Sequence, residues 1–204
     1  MFDHLLIHSR SERTLVGVVD LLLSAGRSIV PRRSTGDRPV ARVLVLRLER
    51  IGDLLMTLPA LAQLRAALPE ATIDLVVGSW NEPLARLLTV VDRVHTIDAP
   101  WLSRGPSSRG YTELIRRARS WRDCRYDLAV NFEGDIRSNA LMTLSGAPRR
   151  AGFDVKGGGA LLTERGEFEP GAHVAVNAGR LVDTILTRPS MPLAPNDRPI
   201  LDLP

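Results

Sequence analysis

The stretch Arg47-Leu-Glu-Arg-Ile-Gly-Asp53 follows the apolar run 43–46 and precedes the segment LLMTLPALAQLRAALP. This order predicts a buried strand, a tight glycine turn and a carboxylate delivered to the start of a helix. In open α/β sheets, ligands and catalytic groups collect outside the carboxyl ends of the strands. The position of Asp53 therefore indicates chemistry as well as structure. A single glycine argues against a dinucleotide fingerprint, which requires three in fixed register.

Strand and helix signals alternate along the chain from residue 40 onward. Strands are predicted over residues 43–48, 72–77, 93–97 and 127–132, and helices over 83–88, 112–123 and 136–144. Further along, the pattern predicts short strands over 150–153 and 160–168 around a glycine turn, and a helix over 173–186. Strands separated by helices indicate a parallel sheet with helices on both faces. The predicted fold class is α/β, with a Rossmann-like parallel sheet flanked by helices.

Proline decides where the first helix of this domain is expected to begin. A helix starting at Leu54 would hold Pro59 in its interior, at a cost of about 3 kcal/mol or a kink. We therefore predict a start near Leu58, with Thr57 as a possible cap and Asp53 in the preceding loop. Gly52 would supply either a backbone angle forbidden to other residues or close approach to a ligand. The alternative for Asp53 is a helix N-cap.

Composition narrows the class of protein. The 204 residues are 44% hydrophobic and 25% charged, which is typical of a globular protein. Cys124 is the only cysteine, so an internal disulfide is excluded and a reducing compartment is favoured. The net charge is +4, and arginine carries nearly all of the positive charge, since Lys156 is the only lysine. A nucleic-acid-binding function would depend on this charge alone, because no aromatic or basic motif supports it.

Residues 1–39 are predicted to form an amphipathic helix and a linker ahead of the domain. Within residues 14–30, apolar side chains share one helical face and arginines flank the segment, which is too short to span a membrane. Such a helix could lie in the headgroup region of an anionic membrane or pack on the domain or a partner. Residues 31–39 combine proline, glycine and charge without periodicity, as linkers do.

The sequence RLERIGDLLMTLPALAQLRAALPEATIDLVV closely resembles the opening of glycosyltransferase family 9, the ADP-heptose:lipopolysaccharide heptosyltransferases. The resemblance continues through YDLAVNFEGDIRSNALMTLSGAPRRAGFD and through His173 with Asn177, over roughly residues 41–190. It implies the N-terminal half of a GT-B enzyme, in which two Rossmann-type domains face each other across a cleft. Residues 40–188 would form the acceptor-side domain and residues 189–204 a proline-rich interdomain connection, with the C-terminal donor domain absent from this chain.

The resemblance also implies a role for Asp53, which occupies the position of the family's catalytic base. In an inverting transfer, one carboxylate on the acceptor side suffices to take the hydroxyl proton. Anionic groups on the acceptor would be held by arginines, with Arg137 after the fourth strand and two others in the loop WLSRGPSSRG, where Trp101 could stack on a sugar. The predicted acceptor-binding residues are Gly52, Thr57, Arg104, Arg109, Glu133 and Arg137. Glu133 departs from the amide of some relatives, which puts the acceptor's identity in doubt.

The remaining sequence motifs are interpreted as structural features of the fold rather than as binding or catalytic sites. Arg47 and Arg50 flank the glycine turn, and either could pair with Glu49 or stabilise the acceptor, of which the ion pair is favoured. The run Gly157–Gly159 follows no clear strand and opens no clear helix, which favours a turn over a phosphate cradle. The four histidines show no metal-ligand spacing and no Asp-x-Asp pair is present, in agreement with a metal-independent transferase.

The sequence thus predicts an inverting glycosyltransferase that moves a heptose or related sugar from a nucleotide-diphosphate donor, such as ADP-heptose, to a lipopolysaccharide-core-type acceptor. The expected location is cytoplasmic, with the inner face of the cytoplasmic membrane as the alternative. The expected partners are a nucleotide sugar and an anionic glycolipid, and no cofactor is expected. The alternative function is a catalytically silent acceptor-binding module that lacks the donor domain.

Overall fold

A computed structural model of the chain describes residues 39–102, 110–186 and 200. Within them, parallel strands form one six-stranded sheet in the order β3-β2-β1-β4-β5-β6. These strands span Arg42–Arg47 (β1), Thr72–Val77 (β2), Arg93–Thr96 (β3), Leu128–Asn131 (β4), Arg149–Gly152 (β5) and Glu164–Arg165 (β6). This is the strand order of a doubly wound Rossmann sheet, in which the direction of winding switches between β1 and β4. The predicted fold class is confirmed.

Helices cover both faces of the sheet. They span Ile51–Ala67 (α1), Glu82–Ala85 (α2), Tyr111–Ser120 (α3), Ile136–Leu144 (α4) and Val174–Leu186 (α5). Short 3-10 turns occupy Ser79–Asn81, Trp121–Cys124 and Gly159–Leu161. Along β1, Val43 and Val45 join the core beneath α1 and α5, whereas Leu44 and Leu46 join the core beneath α3 and α4. Burial on both faces explains why β1 reads as one uninterrupted apolar run.

The predicted start of the first helix near Leu58 is wrong, because α1 begins at Ile51 and contains Pro59. Pro59 cannot donate to the Leu55 carbonyl, but both residues are exposed, so water can hydrate that carbonyl. Extending the helix back to Ile51 buries Leu54 and keeps Leu58 in register with the core. Each buried leucine contributes about 1.5–3 kcal/mol, which offsets the proline. Asp53 therefore lies in the first helical turn, and Thr57 does not cap the helix.

The last third of the described chain is less regular than predicted. The expected strand over residues 160–168 is reduced to the two residues of β6, preceded by a 3-10 turn. The glycine turn is confirmed, since Gly157 and Gly158 have φ values of 84° and 82°. A Cβ atom on Gly158 would lie 3.0 Å from the Ile136 Cα atom, so only glycine lets this turn pack against the start of α4.

Several predictions concern residues outside the described ranges. These are the amphipathic segment 14–30, Arg104, Arg109, and residues 189–204 apart from residue 200. Among the helices that the structure describes, none has both the length and the apolar character needed to cross a membrane.

Candidate active site

A cleft of about 600 Å³ opens at the carboxyl edge of the sheet. Three connections supply its walls: the start of α1 after β1, the turn after β2, and the segment after β3. The lining residues are Glu49, Arg50, Ile51, Asp53, Trp80, Trp101 and Leu102. This edge is where open α/β sheets bind ligands, so the cleft is the candidate active site.

Arg47, the last residue of β1, organises the floor of this cleft. Its side chain is only 2% exposed, and its guanidinium lies 3.0 Å from a Glu49 carboxylate oxygen and 3.7 Å from Asp53 Oδ1. The same group donates to the backbone carbonyls of Phe132, at 3.0 Å, and Asp53, at 3.2 Å. The predicted ion pair between Arg47 and Glu49 is confirmed. Arg47 also ties β1, the start of α1 and the end of β4 together.

Asp53 lines the cleft and also stabilises the start of α1, although it is the third residue of the helix and the N-cap is Arg50. Its role as a base stays a prediction. Its Oδ2 atom accepts the Arg50 backbone N–H at 3.1 Å, which stabilises the first turn of α1 in the manner of a cap. Its side chain is also 29% exposed and lines the cleft, with Oδ1 on the side of Arg47. A capping carboxylate can therefore face a ligand, because one oxygen holds the helix and the other remains accessible.

Glu49 is a second carboxylate in the same cleft. Its side chain is 28% exposed and its backbone carbonyl accepts from Trp80 Nε1 at 2.8 Å and Asn81 Nδ2 at 2.9 Å. Burial raises the pKa of the Glu49 carboxyl, Arg47 opposes that rise, and the Asp53 charge adds to it. The loop after β2 thus holds the backbone of Glu49 in the loop after β1.

Glu133 lies beneath the cleft rather than in it. It is 8% exposed and accepts hydrogen bonds from the Leu48 backbone N–H and the Ser138 hydroxyl. Burial, assisted by the charge of Glu49, raises the pKa of Glu133 to about 7, although both hydrogen bonds lower it. This placement does not support the predicted contact of Glu133 with an acceptor. The two hydrogen bonds of Glu133 instead connect the end of β1 to α4.

Arg137 lies against Trp101, which lines the cleft, but is not itself a lining residue, so its predicted contact with an acceptor stays a prediction. It donates to both Asp135 oxygens, through Nε at 2.9 Å and Nη2 at 2.8 Å, and its guanidinium carbon lies 5.1 Å from the centre of the Trp101 ring. Burial alone would raise the pKa of Asp135, but hydrogen bonds from Arg137 hold it below its ordinary value. The structure therefore brings Arg137 to the predicted stacking residue, Trp101.

Gly52 and Thr57 differ from each other in placement. Gly52 is exposed, does not have a positive φ, and has no atom within 4 Å of the position that a Cβ would occupy. The special backbone angle predicted for it is wrong, whereas close approach of an acceptor stays a prediction. Thr57 is fully buried and its hydroxyl donates to the Asp53 carbonyl at 2.7 Å, so it supports the turn without facing the cleft.

Trp80 and Asn81 are site residues that the sequence reasoning missed. They follow Gly78 at the end of β2, and Trp80 is 40% exposed on the cleft wall. Their signal was their position, since an aromatic residue and an amide directly after a buried strand end lie at the same edge as Asp53. Among the described residues, no group of three or more His, Cys, Asp or Glu side chains is arranged to hold a metal ion.

Comparisons with known proteins place this geometry in context. No family model matches the chain. It is 26% identical over 115 residues to lipopolysaccharide heptosyltransferase 2 of Escherichia coli (strain K12), a match that covers 55% of the chain and 31% of that protein.

Solved structures share the fold. The E. coli ADP-heptose lps heptosyltransferase II matches with a TM-score of 0.59 and 22% identity, over 69% of this chain and 40% of that one. E. coli heptosyltransferase WaaC with ADP-2-deoxy-2-fluoro heptose matches with a TM-score of 0.60 and 23% identity, over 76% and 51%. A glycosyl transferase of family 9 from Veillonella parvula DSM 2008 matches with a TM-score of 0.62 and 19% identity, over 75% and 44%. The chain spans between about a third and half of the length of these relatives.

Proposed function

Because the chain is related to the glycosyltransferase family 9 heptosyltransferases, we propose that it supplies the acceptor side of an inverting glycosyltransferase. The donor is a nucleotide-diphosphate heptose or related sugar, of the kind present in the WaaC structure. The acceptor is a glycolipid of the lipopolysaccharide-core type with anionic groups. Donor binding requires a second domain of the GT-B kind.

The chemistry requires one base and an aligned donor. The acceptor hydroxyl transfers its proton to the Asp53 carboxylate while its oxygen forms a bond to the anomeric carbon. The bond from that carbon to the nucleotide diphosphate breaks on the opposite face, and the leaving group keeps the electron pair. Asp53 contributes by position, because the start of α1 and Arg47 hold its carboxylate at the cleft.

One observation carries this proposal: Asp53 is a partly exposed carboxylate that lines the cleft beyond the carboxyl end of β1, beside the point where the winding of the sheet switches. Its second oxygen is engaged with the helix start, so the carboxylate has one fixed orientation. The family resemblance places the catalytic base at the same residue. Geometry and resemblance therefore support the same assignment.

A second candidate function is a catalytically silent module that binds the acceptor alone. The arrangement of Arg137, Asp135 and Trp101 favours it, because an acceptor could be held there without any donor site. The two functions differ in one requirement. Only the enzyme needs Asp53 as a proton acceptor.

The test is a transfer assay on the full-length protein with ADP-heptose and several other nucleotide-heptose and hexose donors. We expect Asp53→Asn to lower kcat by about 10²–10⁴-fold, the usual contribution of a general base. The matched control is Asp123→Asn, which changes an exposed aspartate in the 3-10 turn before β4, at the opposite edge of the sheet. Full activity of a folded Asp53→Asn variant would exclude Asp53 as the base, and the absence of transfer with every donor would favour the module.

The same assay tests the expected independence from metal ions. Addition of EDTA should leave the transfer rate unchanged, because no step of the proposed mechanism uses a metal ion. A loss of activity that Mg²⁺ restores would contradict this part of the proposal.

We further propose that the protein works at the inner face of the cytoplasmic membrane, with residues 14–30 as the contact. This proposal depends on the amphipathic pattern and the flanking arginines of that segment. Flotation with anionic liposomes should be strong for the full-length protein and weak after removal of residues 1–38. Equal flotation of both would eliminate residues 14–30 as the membrane contact.

A further inference from the structure

We propose that Trp80 and Glu49 form a subsite for an uncharged pyranose ring of the acceptor, next to Asp53. The proposal deepens the function proposed above and rests on it for the identity of the acceptor. Nothing in the family resemblance singled out either residue as a sugar contact. The loop after β2 presents the Trp80 ring and the loop after β1 presents the Glu49 carboxylate to the same cleft.

Trp80 presents a fixed aromatic surface. A Cβ atom on Gly78 would lie 2.3–2.7 Å from the six-membered part of the Trp80 indole, so the ring lies directly against the glycine backbone. The indole N–H donates to the Glu49 carbonyl at 2.8 Å, which fixes the rotation of the ring. Trp80 is nevertheless 40% exposed and lines the cleft. An indole held on one side and open on the other suits stacking by the C–H face of a sugar ring.

Glu49 supplies the polar half of the subsite. One of its oxygens pairs with Arg47, and the side chain is 28% exposed in the cleft. An ionised carboxylate has about four lone-pair sites, so Glu49 can accept hydrogen bonds from sugar hydroxyls as well as from Arg47. The bond from Trp80 to the Glu49 carbonyl holds the indole ring against the backbone of the residue that carries the carboxylate.

The charge of this wall favours a neutral ligand. Two carboxylates, Glu49 and Asp53, face two cations, the buried Arg47 and the exposed Arg50, so no excess positive charge remains for a phosphate. Arg137 lies beside Trp101 at another part of the rim. We infer that an uncharged ring stacks on Trp80. A ring on Trp80 would bring its hydroxyls close to Asp53.

The experiment compares Trp80→Ala, Trp80→Phe and Glu49→Gln in the full-length protein, with Val176→Ala as the control. Val176 is an exposed apolar residue on α5, outside the cleft lining. Transfer assays give KM for the acceptor and kcat separately. Binding is followed by the indole N–H signals of the three tryptophans, and the Trp80 signal is identified by its loss in Trp80→Phe. The probes are methyl α-mannopyranoside, the acyclic polyol mannitol, and inorganic phosphate.

We expect Trp80→Ala and Glu49→Gln each to raise KM for the acceptor about three- to tenfold with a smaller change in kcat, and Trp80→Phe to have an intermediate effect. Methyl α-mannopyranoside should shift the Trp80 indole signal, whereas mannitol and phosphate should not.

Each outcome separates the two proposals. Transfer by the wild-type protein with unchanged KM in Trp80→Ala would overturn the subsite and leave the function intact. Pyranoside binding that depends on Trp80, without transfer to any acceptor, would support the subsite and overturn the function. Equal shifts with mannitol or phosphate would show that this wall does not select a neutral ring.

Discussion

Arg47 and Arg65 are two buried guanidinium groups at opposite edges of the same sheet. Their residues are 2% and 7% exposed, and each pairs with carboxylate groups. Arg65 donates to the carbonyls of Val90 and Ala71 and binds Asp92, whose carboxylate also accepts the Ile73 N–H. Arg47 instead binds two carboxylates that face a cleft.

The two arginines have the same side-chain chemistry but lie at different edges of the sheet. At the amino edge, Arg65 joins the loop before β2 to the loop before β3, and most of its partners are backbone carbonyls. At the carboxyl edge, Arg47 also bonds two backbone carbonyls, but its two carboxylate partners line the cleft, where a ligand can reach them. A buried ion pair is therefore evidence for a functional site only when its partners open onto a cleft at the binding edge.

The largest effect that tests this comparison is on stability. Arg65→Ala should lower the free energy of unfolding by about 2–4 kcal/mol, because it leaves the Val90 and Ala71 carbonyls without their donor and Asp92 without its cation. Urea denaturation measures the loss. The kcat of the folded fraction should change little, and a large loss of kcat without a loss of stability would break the comparison.

The reciprocal change at the carboxyl edge should act on transfer. Arg47→Lys keeps a charge but loses the planar fork that reaches Glu49, Asp53 and the Phe132 carbonyl together. We expect kcat to fall about tenfold, with a smaller effect on stability than that of Arg65→Ala. Kinetics and denaturation of the same preparation give both values. An Arg47→Lys variant that is unstable but fully active would show that Arg47, like Arg65, contributes to stability and not to transfer.

The smallest expected effect concerns pH. The pKa of Glu133 is about 7 in the folded protein and 4.5 when unperturbed, so between these values the folded state holds a proton that the unfolded state releases. Stability from this group is present below pH 4.5 and is lost as the pH rises through about 7.

Glu133→Gln removes that titration while its amide can still accept the Leu48 N–H and bond the Ser138 hydroxyl. Between pH 5 and 7 the variant should lose less stability than the wild type, by on the order of 1 kcal/mol. Denaturation curves at several pH values measure this. Parallel curves for the two proteins would show that Glu133 does not titrate in this range.

Elements with strong local patterns were predictable. The strands β1 to β5, the helix Ile136–Leu144 and the helix ending at Leu186 agree with prediction to within about two residues, because their sequence patterns are local. The start of α1 was not predictable from propensity. Proline argued for Leu58, but the burial of Leu54 against the sheet outweighs it.

Some residues of the candidate site were predictable from the sequence, and others were not. Asp53 was found from its position after a strand, and Arg137 from its position after another. Trp80 was missed, because its bond to the Glu49 carbonyl joins residues 31 positions apart and has no local signature. Glu133 was assigned to the cleft because it follows a strand, yet its side chain turns inward to bond Leu48 and Ser138.

The sequence by itself determined the α/β fold, the strand that delivers Asp53, and the likeness to glycosyltransferase family 9, because these depend on local periodicity and on contiguous motifs. Only the tertiary structure decided that Asp53 both stabilises a helix and faces a cleft, that Arg47 holds two carboxylates there, and that Trp80 lies beside them. These relations join loops from different strands, and the sheet brings those loops together at one edge only after the chain has folded.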